Sequence, residues 1–352
     1  MTLTYLVHAD GSLPNLALMR LGTHLRARGE TVRLLRQPGD AAPLLDGQPS
    51  AVFGSSIFRF SEERRASFER ALGPIRWGGT GVRVESSLSE VADVDWDAIS
   101  PDYSLYPAFS ASLGFLTRGC RLRCGFCVVP QKEGKPHVAA SVRSLWRGEP
   151  HPRHLHLLDN DAFAPTLRSH WRDAIAEIRE GNFRVCFSQG INIRLIDAEG
   201  AAAIASIRYC GHDFKRKRLF TAWDSIGDES IFRRGVDELA RAGIPAKNLR
   251  VYMLVGYDAR ETWEAIFYRF QELVALGCEP YPMVFDRAAR PDLLAFQRYA
   301  IRHLYRNLAF PEYGAHGHED TRLTGEAREA ARSAWERVAS GWKPVRKLAV
   351  AS

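Results

Sequence analysis

The chain has 352 residues, of which 45% are hydrophobic and 25% are charged. This balance excludes an intrinsically disordered protein, and the length predicts one large domain together with a smaller one. The formal net charge of +7 leaves an acidic partner such as nucleic acid open without favouring it, because the charges are interspersed. Only Lys215–Arg218 is a locally dense basic run, for which a solvated loop is the simpler interpretation.

The first residues lack both a basic stretch and a long apolar stretch, and nowhere do about 18 apolar residues follow one another. The sequence therefore predicts a cytoplasmic protein that does not insert into a membrane. Six cysteines in so long a chain do not form a disulfide scaffold, and three of them lie between positions 120 and 127. In a reducing compartment that crowding indicates a metal site.

The first hundred residues predict a small alternating α/β unit. Short apolar runs predict strands, and amphipathic runs between them predict helices. The predicted strands are Thr2–Ala9, Thr31–Leu35 and Ala51–Gly54, with a further strand ending near Trp77, and the predicted helices are Pro14–Arg28 and Ser61–Leu72. The segment Asp93–Pro107, rich in Asp and Pro, is predicted to be a linker.

From Ser112 onward, short apolar strands alternate with longer amphipathic stretches, as in parallel βα units. Six strands are predicted, which fits an incomplete TIM-like barrel. They are Leu113–Thr117, His154–Leu158, Arg184–Ser188, Arg218–Ala222, Arg250–Val255 and Pro280–Phe285. Polar residues follow most of these strands at the carboxyl end, where such folds place their working residues. Beyond residue 290, the stretches Pro291–Ala309 and Thr324–Ser340 predict helices.

The three clustered cysteines, Cys120, Cys124 and Cys127, have the spacing C-x-x-x-C-x-x-C directly after the first predicted barrel strand. A structural zinc site needs four ligands, and no second Cys or His pair follows at a suitable distance. An electron-transfer ferredoxin needs four cysteines for each cluster. Three thiolates would leave one iron of a 4Fe-4S cluster open to another ligand.

This loop resembles the signature of the radical S-adenosylmethionine (SAM) superfamily, in which an aromatic residue, here Phe126, precedes the third cysteine. The stretches Tyr103–Pro107 and Gly114–Cys120 resemble the branch that carries a cobalamin-binding-like domain before the barrel. The resemblance implies an α/β protein with a Rossmann-like domain over residues 1–105, a partial (βα)6 TIM-like radical SAM barrel over 106–290 and a helical extension over 291–352. It also implies reductive cleavage of SAM to a 5'-deoxyadenosyl radical, with electrons from a reductant such as flavodoxin or ferredoxin.

The resemblance also implies which residues bind the cofactors, and Phe126 of the cysteine loop is one of them. Asp159, Asn160 and Asp161 replace the usual Gly-Gly-Glu that meets the SAM amino group. After the third strand, the family holds the SAM ribose and carboxylate with polar side chains, which correspond here to Ser188, Gln189, Asn192 and Arg194. Gly256 is expected to lie against the adenine. Each of these residues also has an ordinary structural role open to it, as a cap, a turn or a solvated charge.

The remaining cysteines, Cys186, Cys210 and Cys278, lack mutual spacing and are predicted to be buried free thiols. Cobalamin stays open as a further cofactor, although neither His8 nor His24 lies in the pattern that supplies an axial ligand. The substrate and the reaction subclass are not predicted. The alternative hypothesis is a zinc- or cluster-containing module that binds nucleic acid without catalysis.

Overall fold

Strands and helices alternate along most of the chain in the computed structural model, which describes residues 2–41, 47–287, 289–316, 323 and 325–339. The chain divides into two units between Leu155 and His156. The boundaries predicted near residues 105 and 290 remain predictions. No helix in the described ranges is both long and apolar enough to cross a membrane.

The first unit begins with a parallel sheet in the order β2-β1-β3-β4. Its strands are β1 (Leu3–His8), β2 (Thr31–Leu35), β3 (Ala51–Ser55) and β4 (Arg76–Gly78), and its first helices are α1 (Leu16–Ala27) and α2 (Glu62–Leu72). All of these elements agree with the prediction to within a few residues. β1 is buried on both faces, so helices can cover both sides of the sheet.

The predicted linker forms part of this unit's core. Trp96, Leu105 and Tyr106 are buried with the apolar face of α1, and the Thr23 hydroxyl donates to the Ser100 carbonyl over 2.7 Å. The Asp and Pro content suggested an extended connection, but three large apolar side chains gain more from burial than from exposure to solvent. The segment is therefore packed against α1.

The rest of the first unit contains short elements around the cysteines. They are β5 (Ser112–Gly114), β6 (Thr117–Arg118), α3 (Val129–Glu133), β7 (His137–Val138) and α4 (Val142–Leu145). The predicted strand Leu113–Thr117 is thus divided, and its end pairs with β7 in an antiparallel ladder. β6 precedes the cysteine loop in the sequence, and β7 follows it.

The second unit carries the remaining βα alternation, with β8 crossing the boundary between the units. The strands are β8 (His154–Leu157), β9 (Arg184–Phe187), β10 (Arg208–Tyr209), β11 (Leu219–Ala222), β12 (Leu249–Val255) and β13 (Glu279–Val284). The helices are α5 (Arg168–Glu180), α6 (Ala198–Ala205), α7 (Glu229–Arg241), α8 (Trp263–Ala275), α9 (Pro291–Ile301), α10 (Phe310–His316) and α11 (Gly325–Val338). The ends of the predicted helix Thr324–Ser340 lie outside the described residues.

Parallel pairing in the second unit joins β10 to β9 and β12 to both β11 and β13. A hydrogen bond from the Ile191 amide to the Phe220 carbonyl, at 2.8 Å, connects the loop after β9 to β11. The preceding residue of this loop, Gly190, has a φ of +85°, and a Cβ at this position would lie 3.0 Å from the Phe220 carbonyl oxygen. Glycine therefore permits this close approach. The described structure is a mixed α/β fold with parallel sheets, as predicted.

Candidate functional site

The loop that carries the three clustered cysteines is closed at its base. The Gly119 amide donates to a carboxylate oxygen of Glu133 at 2.9 Å, and the Cys120 amide donates to the Gly134 carbonyl at 3.1 Å. Gly119 has a φ of +80°, and a Cβ at this position would lie 2.4 Å from the Lys135 carbonyl oxygen. Only glycine fits there, so the chain entering the loop is held against the chain leaving it.

Within this loop the three thiols are partly exposed. Cys120, Cys124 and Cys127 are each half-buried, and the Cys127 amide donates to the Cys124 carbonyl at 2.9 Å in a tight turn. The Leu122 amide approaches the Cys120 sulfur at 3.4 Å. Phe126 lies half-buried in the same turn. Backbone donors directed at a cysteine sulfur favour its thiolate form, which is the form that binds metal.

The other cysteines are buried, as predicted. Burial raises the pKa of Cys186 and that of Cys278 to about 12, and it also raises the pKa of Cys210. A thiol with so high a pKa is a poor metal ligand at neutral pH. The three cysteines of the loop therefore differ from the other three in their exposure to solvent.

Three accessible thiols on one loop fit a 4Fe-4S cluster with an open iron in number and in donor type. In the part of the chain that the structure describes, no group of three His, Cys, Asp or Glu side chains is close enough together to hold a metal ion. The fit therefore rests on the closed loop and its sulfur donors.

Apart from Phe126, which lies in the cysteine loop, the predicted cofactor-binding residues belong to the second unit. Asp159 and Asp161 follow β8 and are 2% and 1% exposed, while Asn160 between them is half-buried. Carboxylates so deeply buried are rare unless they are paired or bind a ligand. Both carboxylates already interact with other groups of the protein.

Ser188 lies at the carboxyl end of β9 and is buried. Its hydroxyl hydrogen-bonds to Nδ1 of the buried His156 at 2.9 Å. Gln189 is exposed, and Asn192 is half-buried just before a short 3-10 turn. His156 was not predicted from the sequence, where its position inside an apolar strand indicated only a core residue.

Arg194 forms an ion pair with Asp228, with Nη1 and Oδ2 separated by 3.0 Å. Both side chains are partly exposed. The guanidinium predicted to bind the SAM carboxylate thus has a carboxylate partner within the protein. Asp228 is therefore a competitor for any carboxylate ligand of Arg194.

Gly256 has a φ of +76° in the turn after β12. Its amide donates to Oε2 of Glu261 at 2.9 Å, and Oε1 of Glu261 pairs with Arg269 of α8. A Cβ at Gly256 would lie 2.7 Å from Leu293 Cδ1. The turn itself therefore requires glycine.

Arg269 is a functional candidate that the sequence analysis missed. Its side chain is 1% exposed, and it donates to the carbonyls of Trp223 at 2.9 Å and Leu254 at 3.0 Å. These carbonyls lie at the carboxyl ends of β11 and β12. Together with Glu261, Arg269 forms what we call the Arg269 clamp. The sequence offered one signal for it: Arg269 lies on the apolar face of α8, three residues after Ile266, where a charged residue is unexpected.

Asp224 lies beside this clamp and accepts the Leu254 amide at 2.9 Å. Burial raises the pKa of Asp224, while the charges of Arg269 and Arg194 act in the opposite direction. Asp224 thus interacts electrostatically with both Arg269 and Arg194 at the carboxyl ends of neighbouring strands. The second unit brings a dense polar network to the edge where parallel folds bind ligands.

Neither His8 of β1 nor His24 of α1 fits a cobalamin axial ligand. His8 is 3% exposed, its Nδ1 lies 3.1 Å from the Tyr106 hydroxyl, and burial lowers its pKa to about 4. His24 packs against the Trp96 ring, with the ring centroids 5.1 Å apart.

Comparison with known proteins leaves the family open. No protein-family model matches the chain, and no curated protein matches it significantly.

Proposed function

We propose that this protein is a radical SAM enzyme in which Cys120, Cys124 and Cys127 hold a 4Fe-4S cluster. The closed cysteine loop is the observation that carries the proposal. It presents three partly exposed thiols and no fourth, while the three remaining cysteines are buried. When bound, such a cluster with an open iron supplies the electron that cleaves SAM to a 5'-deoxyadenosyl radical.

The partial (βα)6 barrel predicted over residues 106–290 would bind SAM and the substrate, and its strands from β9 onward belong to the second unit. Along β12, buried side chains alternate with half-exposed ones, so one face packs against helices and the other is partly open. The open face includes Arg250 and Tyr252, and Tyr252 pairs in register with Tyr281. A barrel interior whose only role is stability is filled by branched aliphatic residues. A face lined by two tyrosine rings departs from that pattern and suits a bound substrate better.

Within this arrangement, the chain's own residues bind and orient SAM. Asp159 and Asp161 would accept hydrogen bonds from its amino group, and Ser188 would bind its ribose. Arg194 would bind its carboxylate after release from Asp228. The Arg269 clamp holds the Gly256 turn, against which the adenine would pack. Flavodoxin or ferredoxin would supply the electron.

The test is anaerobic reconstitution with iron and sulfide, followed by reduction with dithionite in the presence of SAM. We expect a brown protein that releases 5'-deoxyadenosine slowly even without substrate. Cys124→Ala should lose both the iron and the product, whereas the matched variant Cys278→Ala, which removes a buried thiol, should keep both. The variants should share the far-UV circular dichroism of the wild type because the loop lies outside the sheets.

A colourless protein that takes up stoichiometric zinc would contradict the proposal and favour the nucleic-acid-binding module. A full, reducible cluster with bound SAM but no 5'-deoxyadenosine would also contradict it. Equal iron content in Cys124→Ala and wild type would show that the ligands are elsewhere.

A further inference from the structure

The second unit carries a group of cations that the proposed function does not use. Arg184 and Arg208 are the first residues of β9 and β10, and they are direct partners in the parallel ladder. Lys215, Arg216 and Lys217 follow in the loop between β10 and β11, and all three are exposed. We call these five residues the amino-edge patch.

Three of these cations lie close together, although they are distant in sequence. Arg184, Arg208 and Lys217 all act on the pKa of the single thiol of Cys210, which they lower against the larger effect of burial. The Lys217 ammonium lies 5.9 Å from the centroid of the Tyr209 ring. The fold therefore brings positive charges from two strands and a loop together. A run of exposed basic residues in the sequence would not by itself produce this cluster.

These charges are neutralised only in small part by the protein, through the electrostatic interaction of Asp213 with Arg216. Within the described ranges, none of the five forms an ion pair with a carboxylate, and the contacts of Arg184 and Arg208 are with the Phe214 carbonyl and the Asn182 amide oxygen. The nearby Asp213 accepts the backbone amides of Lys215 and Arg216. Like charges placed directly opposite each other in a sheet are destabilising. A net positive cluster retained at this cost indicates an anionic partner.

The surroundings favour a nucleic acid over a protein. No large apolar side chain between residues 182 and 218 is exposed, whereas protein interfaces have an apolar core. Nucleic-acid interfaces are more polar and much more positively charged. The exposed aromatic ring of this segment, that of His212, is already stacked on Phe220 with the centroids 4.7 Å apart, so the patch suits phosphates of a paired backbone better than splayed bases.

The position of the patch also argues against an electron donor. Arg184 begins β9, whereas Ser188 follows its end, and a strand of four residues spans about 13 Å. An electron donor is expected on the side of the cofactor residues, while the patch lies at the other edge. We propose that the amino-edge patch binds the phosphate backbone of duplex nucleic acid.

The test measures binding of a fluorescently labelled RNA hairpin, and of a DNA hairpin of the same sequence, to the full chain by fluorescence anisotropy. The triple variant Lys215→Gln, Arg216→Gln, Lys217→Gln should weaken binding about tenfold or more near 0.1 M salt and lower the slope of log K against log salt by about 2 to 3. The separate variant Arg208→Glu should weaken binding as well. It keeps the test usable if the loop variant does not fold.

Two controls accompany these variants. Replacement of the exposed Arg59, Arg302 and Arg328 by glutamine removes the same charge elsewhere and should leave both affinity and slope near the wild-type values. The double variant Lys215→Arg, Lys217→Arg keeps the charge of the patch and should keep the affinity. Tighter binding of one hairpin than the other would identify the favoured nucleic acid.

The proposal is overturned if the patch variants bind hairpins as well as the control triple does. It is also overturned if patch-dependent binding is found only for an acidic protein such as flavodoxin. Because the binding is measured without SAM or reductant, its failure would not affect the proposed function, and failure of SAM cleavage would not affect this proposal.

Discussion

Replacing Arg269 by methionine tests whether its guanidinium holds the carboxyl ends of β11 and β12 in place. Methionine keeps much of the apolar stem but has no donor. The substitution would leave the carbonyls of Trp223 and Leu254 without this donor, and Glu261 would lose its buried counter-charge. The perturbation is therefore electrostatic and local to the clamp.

The expected cost follows from the burial. Breaking a buried ion pair by removing one partner costs about 3 to 5 kcal/mol, because the other charge stays buried. For a unit of this size, each kcal/mol lowers the melting temperature by about 2 to 4 °C, so we expect a decrease of about 6 to 20 °C. The loss should appear in the transition of the second unit, which contains both strands.

Thermal unfolding followed by circular dichroism measures this effect. Arg241→Met is the matched control, because Arg241 is 68% exposed and pairs with Glu238 on the helix surface. Such a surface pair contributes at most about 1 kcal/mol. Equal shifts for Arg269→Met and Arg241→Met would refute the reasoning.

A double variant separates charge from packing. Glu261→Gln added to Arg269→Met removes the uncompensated carboxylate and keeps an acceptor for the Gly256 amide. The double variant should therefore be more stable than Arg269→Met alone. If it is less stable, the clamp does not act through its ion pair.

Three further expectations concern single residues. Burial lowers the pKa of His8 from 6.5 to about 4, so its neutral form contributes stability above pH 6.5. About 3 kcal/mol of this stability is lost as the pH falls toward 4. Chemical denaturation should show this loss in the wild type and not in His8→Gln. Arg194→Ala should weaken SAM binding and Asp228→Asn should strengthen it in a titration, whereas no change in either would make their ion pair purely structural. Gly256→Ala should lower the free energy of unfolding by about 1 to 2 kcal/mol, because alanine disfavours a positive φ and its Cβ would crowd Leu293; an unchanged stability would contradict that account.

Much of the fold could be predicted because strand and helix periods are local properties of the sequence. β2 and β3, for example, agree with the predicted runs to within one residue. β10 was missed because two residues carry no readable period. The division of the strand after Gly114 was missed because its pairing with His137 and Val138 is a non-local property.

The site was predictable in part for the same reason. The cysteines share one short loop, and the polar residues follow strands, so both appear in the linear pattern. The ion pair between Arg194 and Asp228 joins residues 34 positions apart, and the Arg269 clamp is formed by a helix that reads as ordinary amphipathic sequence. Such partners are set by how the elements pack, which periodicity does not describe.

The hydrogen bonds that close the base of the cysteine loop allow the loop to unfold locally without the sheets. Because Gly119 and Cys120 are tied to Glu133 and Gly134, the segment between them can open and close as a local unit while the flanking strands stay folded. Its amides should therefore exchange with deuterated solvent faster than those of the sheets when the thiols have no ligand. A protease should cut first near Arg121 and Arg123, and a bound cluster would protect those sites by holding both sides of the loop.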